Sequence, residues 1–420
     1  MKRILISLAI LIGLAIIGPT TIGSGSAWAH EPEPAWAHQP PELEIVAEWN
    51  SLPYDIQDPA IERAWKKSAI YGQALMQGVK VDSKGTMYVS TARWGGKEIP
   101  ATLSKLVKKH HEWVLVPFPS EALNDVNNPN GLKAVLGFEI DRNDVMWILD
   151  QGHVASAPSG PLDEKLILWD LKTNKEIQRY VFPPAISDKT CSFLNDVVVD
   201  NDTDFAYIAD SGIFCTPLDG GLIVYDKKAN TARRVLDRTK FTQNEPNFFF
   251  NIPSKNYGIR PVLTSGPMLT GADGIALSGD KKTLYWTNLT GHSLWAIDTE
   301  ILRDFSKSEE QIQEAVRLVT TLPSNTDGMT ADRDGNVYMT ALTLNGLMKL
   351  NAKTGLVERF AFHPEISWAD TLAWGPGGSL YFVSNHLNVW VDGDMNFHHP
   401  RVPNFRIWRI PNVGQSYTEK

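Results

Sequence analysis

Asp196-Val-Val-Val-Asp200, a short polar turn, then Ala206-Tyr-Ile-Ala-Asp210 is a hairpin phrase that the chain repeats. Asp327-Gly-Met-Thr-Ala-Asp332 runs in the same way to Val337-Tyr-Met-Thr340. Asp273-Gly-Ile-Ala-Leu runs to Leu284-Tyr-Trp286, and Asp370-Thr-Leu-Ala-Trp to Leu380-Tyr-Phe382. Weaker copies start at Gly78 and Gly137, which makes six. Each copy reads as an apolar strand, an Asp/Gly/Asn turn and an aromatic-centred strand. A third apolar strand follows most hairpins, as in Leu166-Ile-Leu-Trp-Asp170 and Leu222-Ile-Val-Tyr-Asp226, and a fourth often follows that. Constant spacing inside the copies and variable gaps between them mark a repeat architecture. Four antiparallel strands repeated six times predict an all-β, six-bladed β-propeller. The last copy stops at its third strand, Phe405-Arg-Ile-Trp-Arg-Ile410. The alternating segment Leu43-Glu-Ile-Val-Ala-Glu-Trp49 is expected to supply the fourth, so that the N-terminal strand joins the last blade and closes the ring.

The ends read differently. Lys2-Arg3, the apolar run Ile4 to Ile17 and Ala27-Trp28-Ala29 have the form of a secretory signal peptide over 1–29, with export to the periplasm or medium expected. A membrane anchor is the alternative, but the apolar run is short for one. Residues 30–42 are Pro- and Glu-rich and read as a disordered leader, 43–412 as a single propeller domain, and 413–420 as a tail. Cys191 precedes one hairpin and Cys215 follows it, which puts both on one face of one blade. A disulfide is expected there, with two buried free thiols as the alternative. The chain carries 40 Lys and Arg against 48 Asp and Glu, a net charge of −8, without a sizeable basic cluster. That argues against a nucleic-acid partner, and no membrane partner is expected once the leader is cleaved.

Propellers place function where the innermost strands begin, at the mouth of the central channel. Aligned on their aromatic residue, the repeats put Gln77, Leu136, Asp196, Asp273, Asp327 and Asp370 there. Three residues past the aromatic stand Thr91, Asp150, Asp210, Asn288, Ala341 and Ser384. Converging carboxylates repel unless protons, a cation or backbone donors compensate. The same Asp residues could instead accept backbone N–H groups and tie blades together, and that alternative stays open. No metal-binding histidine spacing, nucleophile elbow, P-loop or dinucleotide fingerprint occurs. Two long insertions, Asp237 to Thr270 with Phe248-Phe-Phe250 and His386 to Asn404 with Trp390, suit a lid over an apolar or aromatic ligand, or packing against blade edges.

Several phrases are similar to those of the Yellow/major royal jelly protein family. They are Arg93-Trp94 through Pro100-Ala-Thr-Leu103, Leu194-Asn-Asp-Val-Val-Val-Asp200, Gly220-Gly-Leu-Ile-Val-Tyr-Asp226, Trp368-Ala-Asp-Thr-Leu-Ala-Trp374 and Pro403-Asn-Phe-Arg-Ile-Trp408. The resemblance implies a secreted six-bladed propeller, and in a bacterial setting export to the periplasm or medium. It also implies a choice of activities that includes dopachrome conversion and binding of biogenic amines. The leading expectation is therefore a small polar or aromatic ligand bound at the channel mouth, with isomerase-like chemistry as its catalytic form. Its contacts would be Asn195, Asp196, Asp210, Asp273, Asn288, Asp327 and Asp370, with Arg93 and Trp94 at the rim. Two other readings stay open. The fold likeness to gluconolactonases implies a divalent ion such as Ca²⁺ on Asp273 and Asp327 and a metal-dependent lactone hydrolase, although Gln77 stands where that group has Glu. The other reading is a non-catalytic interaction scaffold.

Overall fold

The strands of each repeat are near-continuous apolar runs because both faces of each sheet are covered by neighbouring blades. In the third repeat Val197, Val198 and Val199 are buried, and Ala206, Tyr207 and Ile208 are completely so. The computed structural model describes residues 40–261 and 267–418; the expected signal peptide and most of the leader lie outside them. Six four-stranded antiparallel sheets form. Blade 1 is Gly78–Val81, Met87–Ser90, Leu103–Lys109 and Glu112–Pro117, and blade 2 is Val135–Ile140, Val145–Asp150, Lys165–Asp170 and Lys175–Val181. Blade 3 is Leu194–Asp200, Phe205–Asp210, Gly221–Asp226 and Thr231–Val235, and blade 4 is Ala272–Leu277, Thr283–Asn288, Ser293–Asp298 and Arg317–Thr321. Blade 5 is Met329–Ala331, Val337–Ala341, Gly346–Leu350 and Val357–Phe362. Blade 6 is Ala369–Gly375, Ser379–Ser384, Phe405–Ile410 and the N-terminal strand Glu44–Trp49. That last strand pairs antiparallel with its neighbour from Glu44 opposite Arg409 to Trp49 opposite Phe405, which closes the ring as expected. Inner strands touch those of both neighbours all the way round, blade 6 against blade 1 included.

Register fixes what faces the axis. Lys80, Glu139, Val198, Ala276, Thr330 and Ala373 stand opposite the hairpin aromatics. Counting three residues back gives the mouth layer: Gln77, Leu136, Asn195, Asp273, Asp327 and Asp370. Asn195, not Asp196, therefore shares the position of the three aspartates. The hairpins of blades 3 and 4 are one residue longer, so spacing from the aromatic misplaces Asp196 by one. Asp196 belongs one layer deeper, level with Gly137, Gly274, Gly328 and Thr371. Four inner strands break register across these two layers, between Val135 and Phe138, Leu194 and Val197, Ala272 and Ile275, and Ala369 and Leu372. Such bulges re-aim side chains, here around the channel. The glycines answer to crowding: a Cβ on Gly274 would lie 2.2 Å from the Asp327 carbonyl oxygen, and one on Gly328 2.4 Å from that of Asp370.

Within the expected tail, Ser416 and Tyr417 pack against the blades. Ser416 bridges to Asp332, and the Tyr417 side chain is 1% exposed. Its hydroxyl lies 3.4 Å from Glu139 Oε2 in blade 2 and accepts from the Val199 N–H of blade 3 at 3.4 Å. Above it, Lys80 pairs with Glu139 at 3.1 Å. The axis thus runs from a carboxylate mouth through a buried ion pair to a tyrosine at the opposite end.

Candidate functional site

At the mouth lies a cavity of about 230 Å³. Its floor is Asn195, Asp273, Asp327 and Asp370, and its walls are largely apolar: Trp94, Leu136, Phe193, Ile213, Phe214, Met268, Leu289, Leu387, Trp390 and Val391. Beneath the floor, Asp196 joins Asp273, Asp327 and Asp370 around a chamber of about 10 Å³, the size of one water.

The walls come from loops held in several ways. Trp94 donates its indole N–H to Gln151 Oε1 at 2.8 Å and leans on Phe193, with ring centres 5.4 Å apart. Phe193 and Phe214 pack edge-on at 5.5 Å. Cys191 and Cys215, which flank them in sequence, form the expected disulfide. The two insertions lock to each other. Asn256 exchanges two hydrogen bonds with the Val402 backbone at 2.8 and 2.9 Å, and the Tyr257 hydroxyl donates to Asn404 Oδ1 at 3.0 Å. Together they supply Met268, Leu387, Trp390 and Val391 to the cavity. In the Phe triplet, Phe248 and Phe250 pack against each other while Phe249 is exposed, so most of the triplet is packing.

The floor is short of solvation. Asp327 Oδ2 accepts the Trp368 indole N–H at 2.6 Å. Asp370 accepts from Asn385 Nδ2 at 2.9 Å and from its neighbour Thr371 at 3.1 Å. Asp273 and Asp327 act on each other's protonation through their side chains, and no hydrogen-bond donor reaches Asp273 Oδ1. Burial is the first cause of every shift in this group. It raises Asp327 to about 7 against the pull of the Trp368 and Asp273 hydrogen bonds. It raises Asp273 and Asp370 well above the ordinary range, helped by the charge of Asp327. Asp196 rises to about 6, held back by Lys80. Near neutral pH the floor therefore holds protons as well as charge.

Not every expected residue joins it. Arg93 is not at the rim; it is 1% exposed, and its guanidinium donates to the carbonyls of Ile99, Pro100, Asn124, Leu132 and Lys133. Five donors on five carbonyls leave nothing for a ligand. Asp210 faces away as well. It accepts the Phe193 and Gly212 N–H groups at 2.7 and 3.0 Å and pairs with Arg234 at 2.5 Å. Asp150 plays the same part in blade 2, taking the Lys133 and Ala134 N–H groups and pairing with Lys165. Asn288 donates to the Gln243 carbonyl at 2.7 Å outside the cavity lining. In this second column Asp150 and Asp210 accept backbone N–H groups and pair with a cation within their own blades rather than between blades. Phe193, Ile213, Phe214 and Ser156, which the sequence reading did not single out, line the cavity; the disulfide flanking Phe193 and Phe214 was the available signal.

Among the described residues no group of three or more His, Cys, Asp or Glu side chains is arranged to hold a metal ion. One oxygen of Asp327 accepts from Trp368 and one of Asp370 from Asn385.

The profile of the family described as "Major royal jelly protein" matches residues 134–414. The chain belongs to the major royal jelly protein family. Among family members, "Protein yellow" of Drosophila madeirensis is 27% identical over 388 residues, covering 86% of this chain and 64% of that protein. "Protein yellow" of Drosophila erecta is 26% identical over 403 residues, covering 90% and 70%. The chain thus spans about 64% of the length of the first of these curated relatives. A gluconolactonase from Xanthomonas campestris is similar in structure at 12% identity and a TM-score of 0.46, covering 89% of this chain and 99% of its own. A luciferin-regenerating enzyme is similar at 12% identity and a TM-score of 0.49, covering 90% and 97%. Likenesses this loose transfer no site.

Proposed function

We propose that this family member binds a small molecule with an aromatic body and a cationic or proton-donating end at the channel mouth. The observation that carries this reading is the pairing of opposites in one cavity: apolar, aromatic walls above three buried aspartates. The walls would stack and desolvate the ring, and the floor would pair with an ammonium. The Asp273–Asp327 pair is equipped for isomerisation of a dopachrome-conversion type. One carboxylate takes a proton from one atom of the ligand while its neutral partner delivers a proton to another, so the ligand changes only its proton positions and no oxidant is needed. Export from the cytoplasm belongs to the same proposal, supported by a disulfide of the kind that oxidising compartments maintain.

Calorimetry with tyramine and with 4-ethylphenol, the same ring without the ammonium, tests the reading. Tyramine is expected to bind more tightly by about tenfold or more, and to do so in the presence of EDTA. Equal binding of the neutral phenol would remove the charged floor from the account. Binding lost to EDTA would favour the metal-dependent lactone hydrolase, and no binding of either would favour an interaction scaffold.

A further inference from the structure

Trp368 occupies a position that all six blades share, two residues before the mouth layer. Its equivalents are Leu75, Ala134, Phe193, Gly271 and Asn325. Of the six, Trp368 alone has a left-handed backbone, at φ 52°. That conformation is disfavoured for a bulky L residue, and filling the core with an apolar ring does not require it. What it achieves is direction. The completely buried indole of blade 6 reaches across to blade 5 and sets its N–H 2.6 Å from Asp327 Oδ2. The other side of the ring meets Phe250 of the first insertion, with centres 6.4 Å apart and planes at 43°. One side chain therefore touches both an aspartate of the floor and the insertion that helps to wall the cavity.

We propose that Trp368 is a positioning residue of the acid floor: its N–H holds one oxygen of Asp327 so that the other is left to Asp273, and its ring passes the placement of the Phe250 insertion to that carboxyl. This deepens the proposed function by assigning control of the floor to the insertion. Any rearrangement of the insertion on ligand entry would then change how firmly Asp327 is held and how readily it gives up its proton.

The test needs no ligand. Protein labelled with ¹³C at the aspartate carboxyls is titrated by NMR, and the Asp327 resonance is assigned by its loss in Asp327→Asn. The wild-type midpoint should lie near pH 7, where burial and the Trp368 hydrogen bond balance. Trp368→Phe keeps a ring but removes the donor, and the midpoint should rise by about one pH unit. Phe250→Ala, which leaves Trp368 intact, should move it in the same direction by a smaller amount. An unchanged midpoint in a folded Trp368→Phe protein would overturn the positioning role, and an unchanged midpoint in Phe250→Ala would overturn the coupling to the insertion. If Trp368→Phe does not fold, Trp368→His, which retains a ring N–H, and Phe250→Ala carry the test, with no shift in Phe250→Ala counting against the proposal. Failure of tyramine to bind would leave these shifts in place, so the two readings fail separately.

Discussion

Asp327→Asn is expected to stabilise the protein at pH 8 and to weaken tyramine binding by about 30-fold or more, equivalent to ~2 kcal/mol. Asp327 is raised to about 7 in the folded chain by burial, against roughly 3.9 for an unfolded aspartate. For a raised carboxyl the stabilising contribution is complete below the unfolded value and is lost as pH climbs through the folded one. Above pH 7 the folded protein must therefore hold an ionised group in a poorly solvated place. Asparagine keeps an oxygen for the Trp368 N–H and offers its amide to Asp273, without the charge. Thermal melts of both proteins at pH 5 and pH 8 should show the variant gaining by a few degrees more at pH 8. Equal destabilisation at both pH values would mean that Asp327 is a structural tie. Gain of stability with loss of binding is the pattern expected where a site holds a group that folding alone would not place there.

Tyr417→Ala should cost about 3–5 kcal/mol, the range for deleting a large buried ring. The ring is 1% exposed and packs in the core that blades 3, 4 and 5 share. Its hydroxyl contacts are both 3.4 Å long, so Tyr417→Phe should cost far less. Chemical denaturation of the two variants separates ring from hydroxyl. A Tyr417→Ala protein as stable as the parent would return residues 413–418 to the status of a loose tail.

The ring of blades was legible because the repeat encodes it several times over: strand, turn and aromatic recur, and the missing last strand points to Leu43–Trp49. The site was legible only in part. Asp273, Asp327 and Asp370 stand at the mouth as expected: the hairpins of Asp327 and Asp370 keep the common spacing to the aromatic, and Asp273 was marked by its Asp-Gly pair although its hairpin is one residue longer. Asp196 shows how that spacing fails. A hairpin longer by one residue kept its distance from Tyr207 and hid its shift to the layer below. Asp210 and Asn288 lie at the expected level but are taken up by the protein itself, Asp210 by the Phe193 and Gly212 N–H groups and Arg234, Asn288 by the Gln243 carbonyl. Arg93 was placed at the rim beside Trp94, whereas its guanidinium is taken up by the nearby Ile99 and Pro100 carbonyls and by those of Asn124, Leu132 and Lys133, which only the fold brings within reach. Of the aromatic wall, Trp94 and the insertion carrying Trp390 were expected, and Phe193 and Phe214 were not. Phe193, Phe214 and Trp390 meet only after a disulfide and two interlocked insertions have folded over the mouth.

On the proposed reading, a charge-bearing floor under aromatic walls binds a cationic aromatic ligand. Titration of tyramine into the protein at pH 5.5 and at pH 8 tests it most directly. With Asp327 neutral below about 7, affinity should be higher at pH 8 by about tenfold or more, with proton release on binding at intermediate pH. Equal affinity at the two pH values, or no binding at either, would contradict it.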